Sequence, residues 1–197
     1  RGGDRGQNLI LLDGVKLYNT GHMGGFVSLF NTDVIKQVDV YKGGYPSRFG
    51  GRASSVIDIH TLDGNRNKLS GKFNLGLLTS SVMAEGPIGE KVSFVVAART
   101  SYYDLYSLPK RNRMKKYSTA DFVNFNFFDI NAKLTYYINP RNRVYGSLFI
   151  GNDRNVTKYR SPYEIGNTLY AIKNSSFKGG IHTELGTNLF LKNSVSY

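Results

Sequence analysis

Cysteine is absent from these 197 residues. Without a thiol, the chain can have no disulfide, no thiolate metal site and no cysteine nucleophile. Long apolar runs are lacking as well, since no stretch approaches the roughly 18 consecutive apolar residues that a membrane-spanning helix requires. The sequence therefore excludes a helical membrane protein. The sequence does not exclude a transmembrane β-barrel, because the strands of a barrel alternate apolar and polar residues and never form such a run.

Acidic residues are few relative to basic ones, with 14 Asp and Glu against 26 Lys and Arg, which gives a net charge of +12. A charge of this sign suits a nucleic acid, an anionic lipid or an acidic ligand. Arg1 is not an initiator residue and no signal peptide precedes it, so we expect the chain to be a processed product or a fragment.

Motifs for catalysis or metal binding are missing too. The histidines His22, His60 and His182 lie far apart in the sequence, with no carboxylate or histidine at ligand spacing and no nucleophile motif around them. An ordinary surface or packing role is the favoured interpretation of each. The paired glycines at 43–44 and 50–51 lack the spacing and endings of nucleotide-binding loops. We predict no catalytic residue, no metal site and no cofactor.

The first 60 residues have the pattern of short strands joined by tight turns. Asp13-Gly14, a favoured hairpin dipeptide, separates an apolar run at 9–12 from a returning strand at 15–17. Residues 35–41 and 56–60 alternate as amphipathic strands. Between them, the two glycine pairs permit sharp turns, so residues 45–49 are predicted to form an ordered loop with exposed aromatic and cationic side chains.

A polar, turn-forming break at residues 63–68 marks a change of pattern, and we predict a domain boundary there, between 1–64 and 65–197. Longer alternating segments follow. Their predicted bounds are 69–85, 91–104, 124–138, 143–153, 167–184 and 189–197. The fifth segment mixes polar and apolar residues on one face, which indicates either a bulge or a different register.

The third of these segments has the clearest faces. From Phe128 to Ile138, alternate residues are apolar, whereas the opposite face carries Asp129, Asn131 and Lys133. In a soluble sandwich the apolar face would point into a core; in an outer-membrane barrel it would face lipid. Strand length favours the barrel, as does the predicted alternation of short turns at 86–90, 139–142 and 185–188 with long loops at 105–123 and 154–166.

These residues resemble the TonB-dependent receptors of the Bacteroidetes type. In the receptor plug the matching segments are Arg1-Gly2-Gly3, NLILLDGV at 8–15, IKQVDVYKGG at 35–44 and FGGRASSVIDIHT at 49–61; in the first barrel strands they are MAEGPIG at 83–89 and AARTSY at 97–102. The starch-utilisation subgroup usually has an alanine-rich segment ending in Asn-Gly-Val where this chain has YPSRFGGR at 45–52. That departure weakens the inference of a partner lipoprotein on the cell surface.

The resemblance implies a β-rich fold: part of a plug domain, followed by antiparallel strands of a transmembrane β-barrel that is incomplete, with about six strands of an expected 22. It implies localisation in the Gram-negative outer membrane, with the plug in the barrel lumen, and import of a nutrient with energy relayed by TonB. The segment that contacts TonB is expected to lie outside this chain. Siderophore, glycan, peptide and cofactor remain open as substrates.

The resemblance also implies ligand contacts on plug loops that face the extracellular cavity. We expect Tyr45 and Arg48 to stack on and hydrogen-bond a ligand, and Asn19 and His22 to add polar contacts. An equally strong alternative has Arg48 and Arg52 pairing with carboxylates of the barrel wall to hold the plug.

Two other classes of function stay open. One is a structural or adhesive surface β protein that binds polyanions through basic loops. The basic run KRNRMKK at 110–116 suits such a role, or contact with lipopolysaccharide in an extracellular loop. Nucleic-acid binding would rest only on charge with interspersed tyrosines, and we predict that nucleic acid is not a partner.

Overall fold

The computed structural model describes residues 7–18, 21–50, 54–103, 105–106, 109, 120–160, 165–185 and 189–197, and side chains are described for all of these except 120–123, 159–160 and 165. The predicted residues Asn19 and Arg52 and the basic run at 110–116 lie outside these ranges. The strands are β1 Leu9–Leu12, β2 Val15–Leu17, β3 Gly21–His22, β4 Val27–Ser28, β5 Ile35–Tyr41, β6 Val56–Thr61, β7 Ser70–Leu75, β8 Thr79–Ile88, β9 Val92–Ser101, β10 Ala120–Asn139, β11 Asn142–Arg160, β12 Ile165–Glu184 and β13 Phe190–Ser196.

A small sheet forms the amino-terminal part of the chain, in the order β2-β1-β6-β5. β1 and β2 are an antiparallel hairpin and β1 runs parallel to β6. The hairpin turn places Asp13 at φ 49° and Gly14 at φ 82°. Two consecutive positive φ angles are what a type I′ turn requires, and Asp-Gly tolerates them. The predicted hairpin and the predicted strands β5 and β6 are thus present.

A large antiparallel sheet follows, with its described strands in sequential order from β7 to β13. The two sheets are joined by residues 62–69, the connection in which the predicted boundary at residue 64 lies. A separate pair, β3 and β4, and 3₁₀ turns at Met23–Gly25 and Thr32–Val34 connect β2 to β5. No helix in the described part of the chain has the length and apolar character needed to cross a membrane.

Three details of the large sheet differ from the predictions. The single strand predicted at 69–85 is a hairpin, because Gly76 reverses the chain and its N–H donates to Thr79 O at 2.9 Å. The long loop predicted at 154–166 is wrong, because β11 and β12 stay paired out to Arg160 and Ile165. This pairing satisfies backbone donors and acceptors that a loop would leave to water. β12 keeps one continuous register against β11, so the bulge considered there is absent.

The two faces of the large sheet decide between the barrel and the sandwich. Along β10, Asp129, Asn131 and Lys133 are buried on the face that the amino-terminal part covers, whereas Leu134 is 51% exposed on the outer face. Other apolar side chains are exposed on that outer face: Val82, Val96, Phe128, Tyr136, Ile138, Val144, Leu148 and Phe177. A soluble sandwich would bury the apolar face, so the observed inversion is that of a membrane barrel with a filled interior.

The amino-terminal part packs against the polar face through two apolar contacts. Leu29, which is fully buried, and Leu17 cluster with Phe149 of β11. Val34, at the end of the second 3₁₀ turn, packs with Met83 of β8 and Val95 of β9. The polar side chains of the large sheet must therefore find partners on the amino-terminal part around these contacts, because they are buried together with them.

Candidate functional site

His22 of β3 lies at the centre of the first polar contact between the amino-terminal part and the large sheet. Its side chain is fully buried, and its ring stacks on Phe127 with centroids 4.1 Å apart and planes inclined by 7°. Nδ1 lies 2.8 Å from Oδ2 of Asp153, and Nε2 lies 3.3 Å from Oδ2 of Asp129. Asp153 is directly opposite Phe127 in the β10–β11 pairing, so the ladder itself places carboxylate and ring on either side of the imidazole.

The surroundings of His22 favour its protonated form. Burial alone would lower the pKa of the imidazole, because desolvation disfavours the cation. Hydrogen bonding and charge from Asp129 and Asp153 act in the opposite direction and prevail, so the pKa of His22 is raised above its ordinary value. The backbone N–H of Met23 also donates to Asp153, at 3.2 Å.

Arg99 of β9 completes this histidine cluster, which we define as His22, Arg99, Asp129 and Asp153. Its Nε donates to Asp129 at 2.8 Å, as expected for residues directly opposite in the β9–β10 pairing. The remaining guanidinium N–H groups donate to the carbonyls of three successive residues of the amino-terminal part: Ser28 at 2.8 Å, Leu29 at 3.1 Å and Phe30 at 3.5 Å. One side chain of the large sheet thus caps three carbonyls at the end of β4 and in the loop that follows it.

A second polar contact, the aspartate cluster, consists of Asp13, Thr61, Asp63 and Lys133. Lys133 of β10 lies 2.9 Å from Oδ1 of Asp63 and 3.6 Å from Oδ1 of Asp13, and it donates to Thr61 O at 3.2 Å. The Thr61 hydroxyl and backbone N–H both donate to Asp13. This cluster ties the β1–β2 turn, the end of β6 and the large sheet to one buried ammonium.

Asp63 is held as a carboxylate by its neighbours. Burial would raise the pKa of this group, but Lys133 and Lys36 outweigh it and lower the pKa to about 2. The carboxylate therefore stays ionised throughout the ordinary pH range. Its backbone is fixed as well, since Ser93 Oγ of β9 donates to Asp63 O at 2.6 Å. Gly64 follows at φ +85°, pressed against the backbone of Phe94.

Thr61→Val is expected to lower the free energy of unfolding of the amino-terminal part by about 2 kcal/mol, because the near-isosteric side chain removes a buried hydrogen bond to a charged acceptor. Urea titration of the intact protein, followed by proteolysis of the unfolded part, measures the change. Thr100→Val is the control, since that hydroxyl donates only to neutral carbonyls. Equal losses in both variants would contradict a special role of the Thr61–Asp13 pair.

A polar cavity of about 260 Å³ lies beside the aspartate cluster, between the two sheets. Basic side chains outnumber acidic ones in its lining. The lining consists of Asp13, Lys36, Gln37, His60, Thr61, Asp63, Lys133, Arg143, Tyr145, His182 and Lys192.

The structure separates the predicted ligand residues. His22 is buried in the histidine cluster, with no surface available to a ligand in this arrangement. Tyr45 and Arg48 lie instead on the loop between β5 and β6, where Tyr45 packs against the core around Phe49 and the Arg48 guanidinium lies 4.6 Å from the Phe49 ring centroid. Within the described residues, charged contacts to the large sheet come from other side chains. Asn19 and Arg52 lie outside the described residues.

Sequence reasoning missed most of this contact, including the two carboxylates that bracket His22. Asp153 is 131 residues from His22 in the chain, so no local sequence spacing predicts that the two side chains are in contact. One signal was available, however: the polar face of β10 carries Asp129 and Lys133, and charged side chains that point inward from a barrel strand need partners in the interior. Among the residues that the structure describes, no group of three or more His, Asp or Glu side chains is arranged to hold a metal ion.

Comparison with known protein families gives a match in the amino-terminal part of the chain. The family described as TonB-dependent Receptor Plug Domain matches residues 1–57. That family is one of receptors and not of enzymes. A sequence search of curated proteins finds no match.

Two solved structures of the ferric enterobactin receptor from Pseudomonas aeruginosa share the fold. A glutamine-to-alanine mutant in complex with enterobactin is 15% identical, with a TM-score of 0.67 over 97% of this chain and 33% of that one. An arginine and glutamine double mutant is 13% identical, with a TM-score of 0.53 over 97% of this chain and 40% of that one. The chain thus spans between a third and two fifths of those receptors. The plug-domain match over residues 1–57 and the fold shared with part of the receptor support the assignment of this chain as a fragment of a TonB-dependent receptor, with its plug-domain residues packed on the polar face of the large sheet.

Proposed function

We propose that this chain is part of a transporter that imports a small nutrient across the outer membrane, with energy relayed by TonB from the inner membrane. The observation that carries the proposal is a plug-domain sequence packed on the polar face of a sheet whose other face is apolar. Such a plug obstructs the lumen, so passage requires that it rearrange. TonB would act through a segment outside this chain.

The loop between β5 and β6 is the proposed place for first contact with the nutrient. Arg48 is exposed there, and Tyr45 is half-buried beside it. A guanidinium over an aromatic ring offers both stacking and charge to a solute. The solute class stays among siderophore, glycan, peptide and cofactor, and outer-membrane lipopolysaccharide and a surface lipoprotein remain proposed partners.

Uptake by cells that carry the intact receptor tests the proposal, with labelled candidate nutrients, in the presence and in the absence of TonB. We expect one nutrient to accumulate only with TonB, and Arg48→Ala to weaken its binding without changing outer-membrane insertion. Accumulation that persists without TonB would overturn the proposal. Insertion with no accumulation of any nutrient would favour a role in surface adhesion or signalling.

A further inference from the structure

The two carboxylates that bracket His22 favour an imidazolium. A neutral imidazole has one N–H and one lone pair, and only the cation can donate from both nitrogens. Here Nδ1 faces Asp153 at 2.8 Å and Nε2 faces Asp129 at 3.3 Å, and all three side chains are buried. A neutral ring would place a lone pair against one carboxylate in a buried site.

The charges of the histidine cluster also favour a protonated His22. Facing His22 are Asp129 and Phe127 from β10 and Asp153 from β11, and Arg99 from β9 reaches Asp129 on its far side. Two carboxylates and one guanidinium leave one negative charge without a partner. Burying an uncompensated charge is strongly unfavourable. The proton on His22 supplies the missing charge.

The two polar contacts therefore respond differently to pH. The aspartate cluster contains Asp63, which stays ionised down to about pH 2, and Lys133, whose ammonium lies 2.9 Å away. No group with an ordinary pKa near neutrality is part of it. The histidine cluster depends on a group that titrates near neutrality. Along the chain, His22 precedes the 3₁₀ turns, whereas Asp63 adjoins the connection to the large sheet.

We propose that His22 is the positioning residue of a proton-controlled latch, whose deprotonation frees residues 21–34 of the plug from the barrel wall while the aspartate cluster keeps residues 56–63 in place. The plug would then open about its attached end and would not leave the barrel. This inference concerns how the plug is held and does not depend on which solute is imported.

The sign of the effect follows from the raised pKa of His22. A group whose pKa is higher in the docked state stabilises docking fully below its undocked pKa, about 6.5. That stabilisation is lost as the pH rises through the docked-state pKa. The latch is therefore closed in acid and opens as the pH rises through the docked-state pKa of His22.

Hydrogen–deuterium exchange of the intact receptor tests the latch, from about pH 5 to about pH 9 and corrected for the intrinsic pH dependence of exchange. We expect exchange of residues 21–34 to rise with pH, by about tenfold for each pH unit that separates the two pKa values, while residues 56–63 stay protected. Exchange at 21–34 that does not change with pH, or that changes equally at 56–63, would overturn the proposal.

Three variants separate the proton from a general loss of structure. His22→Gln is expected to exchange rapidly at 21–34 at every pH, and Asp153→Asn to move the midpoint to lower pH because one stabilising charge is gone. His60→Gln is the matched control, since this plug histidine also lies near two carboxylates, Asp58 at 3.5 Å and Asp39 at 3.6 Å, but is partly exposed and makes no contact with the barrel wall among those described. It should leave the pH profile unchanged. An unshifted midpoint in Asp153→Asn would also contradict the latch.

Discussion

Gly64→Ala should lower the free energy of unfolding of the plug by about 3 kcal/mol. Gly64 has φ +85°, a conformation that costs an L-residue about 1–2 kcal/mol. A Cβ at this position would lie 2.4 Å from the carbonyl oxygen of Phe94 and 2.7 Å from its carbonyl carbon. These are backbone atoms of a paired strand and cannot rotate away, so overpacking adds about 1–3 kcal/mol.

Gly44→Ala provides the comparison within the plug, because that glycine also has a positive φ, +61°, but nothing lies within 4 Å of the added Cβ. We expect it to cost only the conformational term, about 1 kcal/mol. Urea titration of the intact receptor, read by proteolysis of the plug, gives both values. Similar losses in the two variants would show that the approach of Gly64 to Phe94 is not what fixes the connection.

Arg99→Met is expected to cost the plug about 3–5 kcal/mol. The substitution removes the cation from a buried pair and leaves Asp129 with one fewer compensating charge. It also deprives the carbonyls of Ser28 and Leu29 of their donors. Met is close in size, so lost packing contributes little. Protection from hydrogen exchange should be lost first at residues 21–34, because the guanidinium donates to the carbonyls of residues 28–30 in this segment.

Arg99→Lys separates charge from geometry. Lysine keeps the ion pair with Asp129 but has no planar fork for the loop carbonyls, so an intermediate loss is expected. Arg154→Met is the control, because Arg154 is exposed on the outer face and its removal should change stability by no more than about 0.5 kcal/mol. A loss in Arg99→Met no larger than in Arg154→Met would refute the capping role.

Local patterns in the sequence were sufficient to predict the strands β1, β2, β5 and β6 of the plug. Asp13-Gly14 specified its hairpin because few dipeptides accept two positive φ angles, and the alternation at 35–41 and 56–60 specified β5 and β6 as strands. The turn at 76–78 was missed because it contains Leu77 and Leu78, whereas turn prediction relies on polar residues. Here apolar side chains are acceptable in a turn because the outer face of this sheet is itself apolar.

The contact between plug and wall could not be derived in this way. Periodicity gives the two faces of β10 but not which one is buried, since that depends on whether the surroundings are water or lipid. The partners of Asp129 and Lys133 come from parts of the chain tens of residues away, so they are set by tertiary placement. In the sequence His22 is therefore an isolated histidine, and its position between two buried carboxylates exists only in the folded structure.

The length of the central strands sets how far the barrel wall extends. β10 and β12 have 20 residues each and β11 has 19, which at about 3.3 Å per residue gives about 65 Å. Tilted by about 45°, such strands rise about 45 Å, whereas the apolar band of an outer-membrane barrel is about 25 Å tall. The barrel wall thus extends well beyond the lipid hydrocarbon on the side opposite the tight turns. A solute approaching there meets a protein-walled vestibule before it reaches the depth of the lipid.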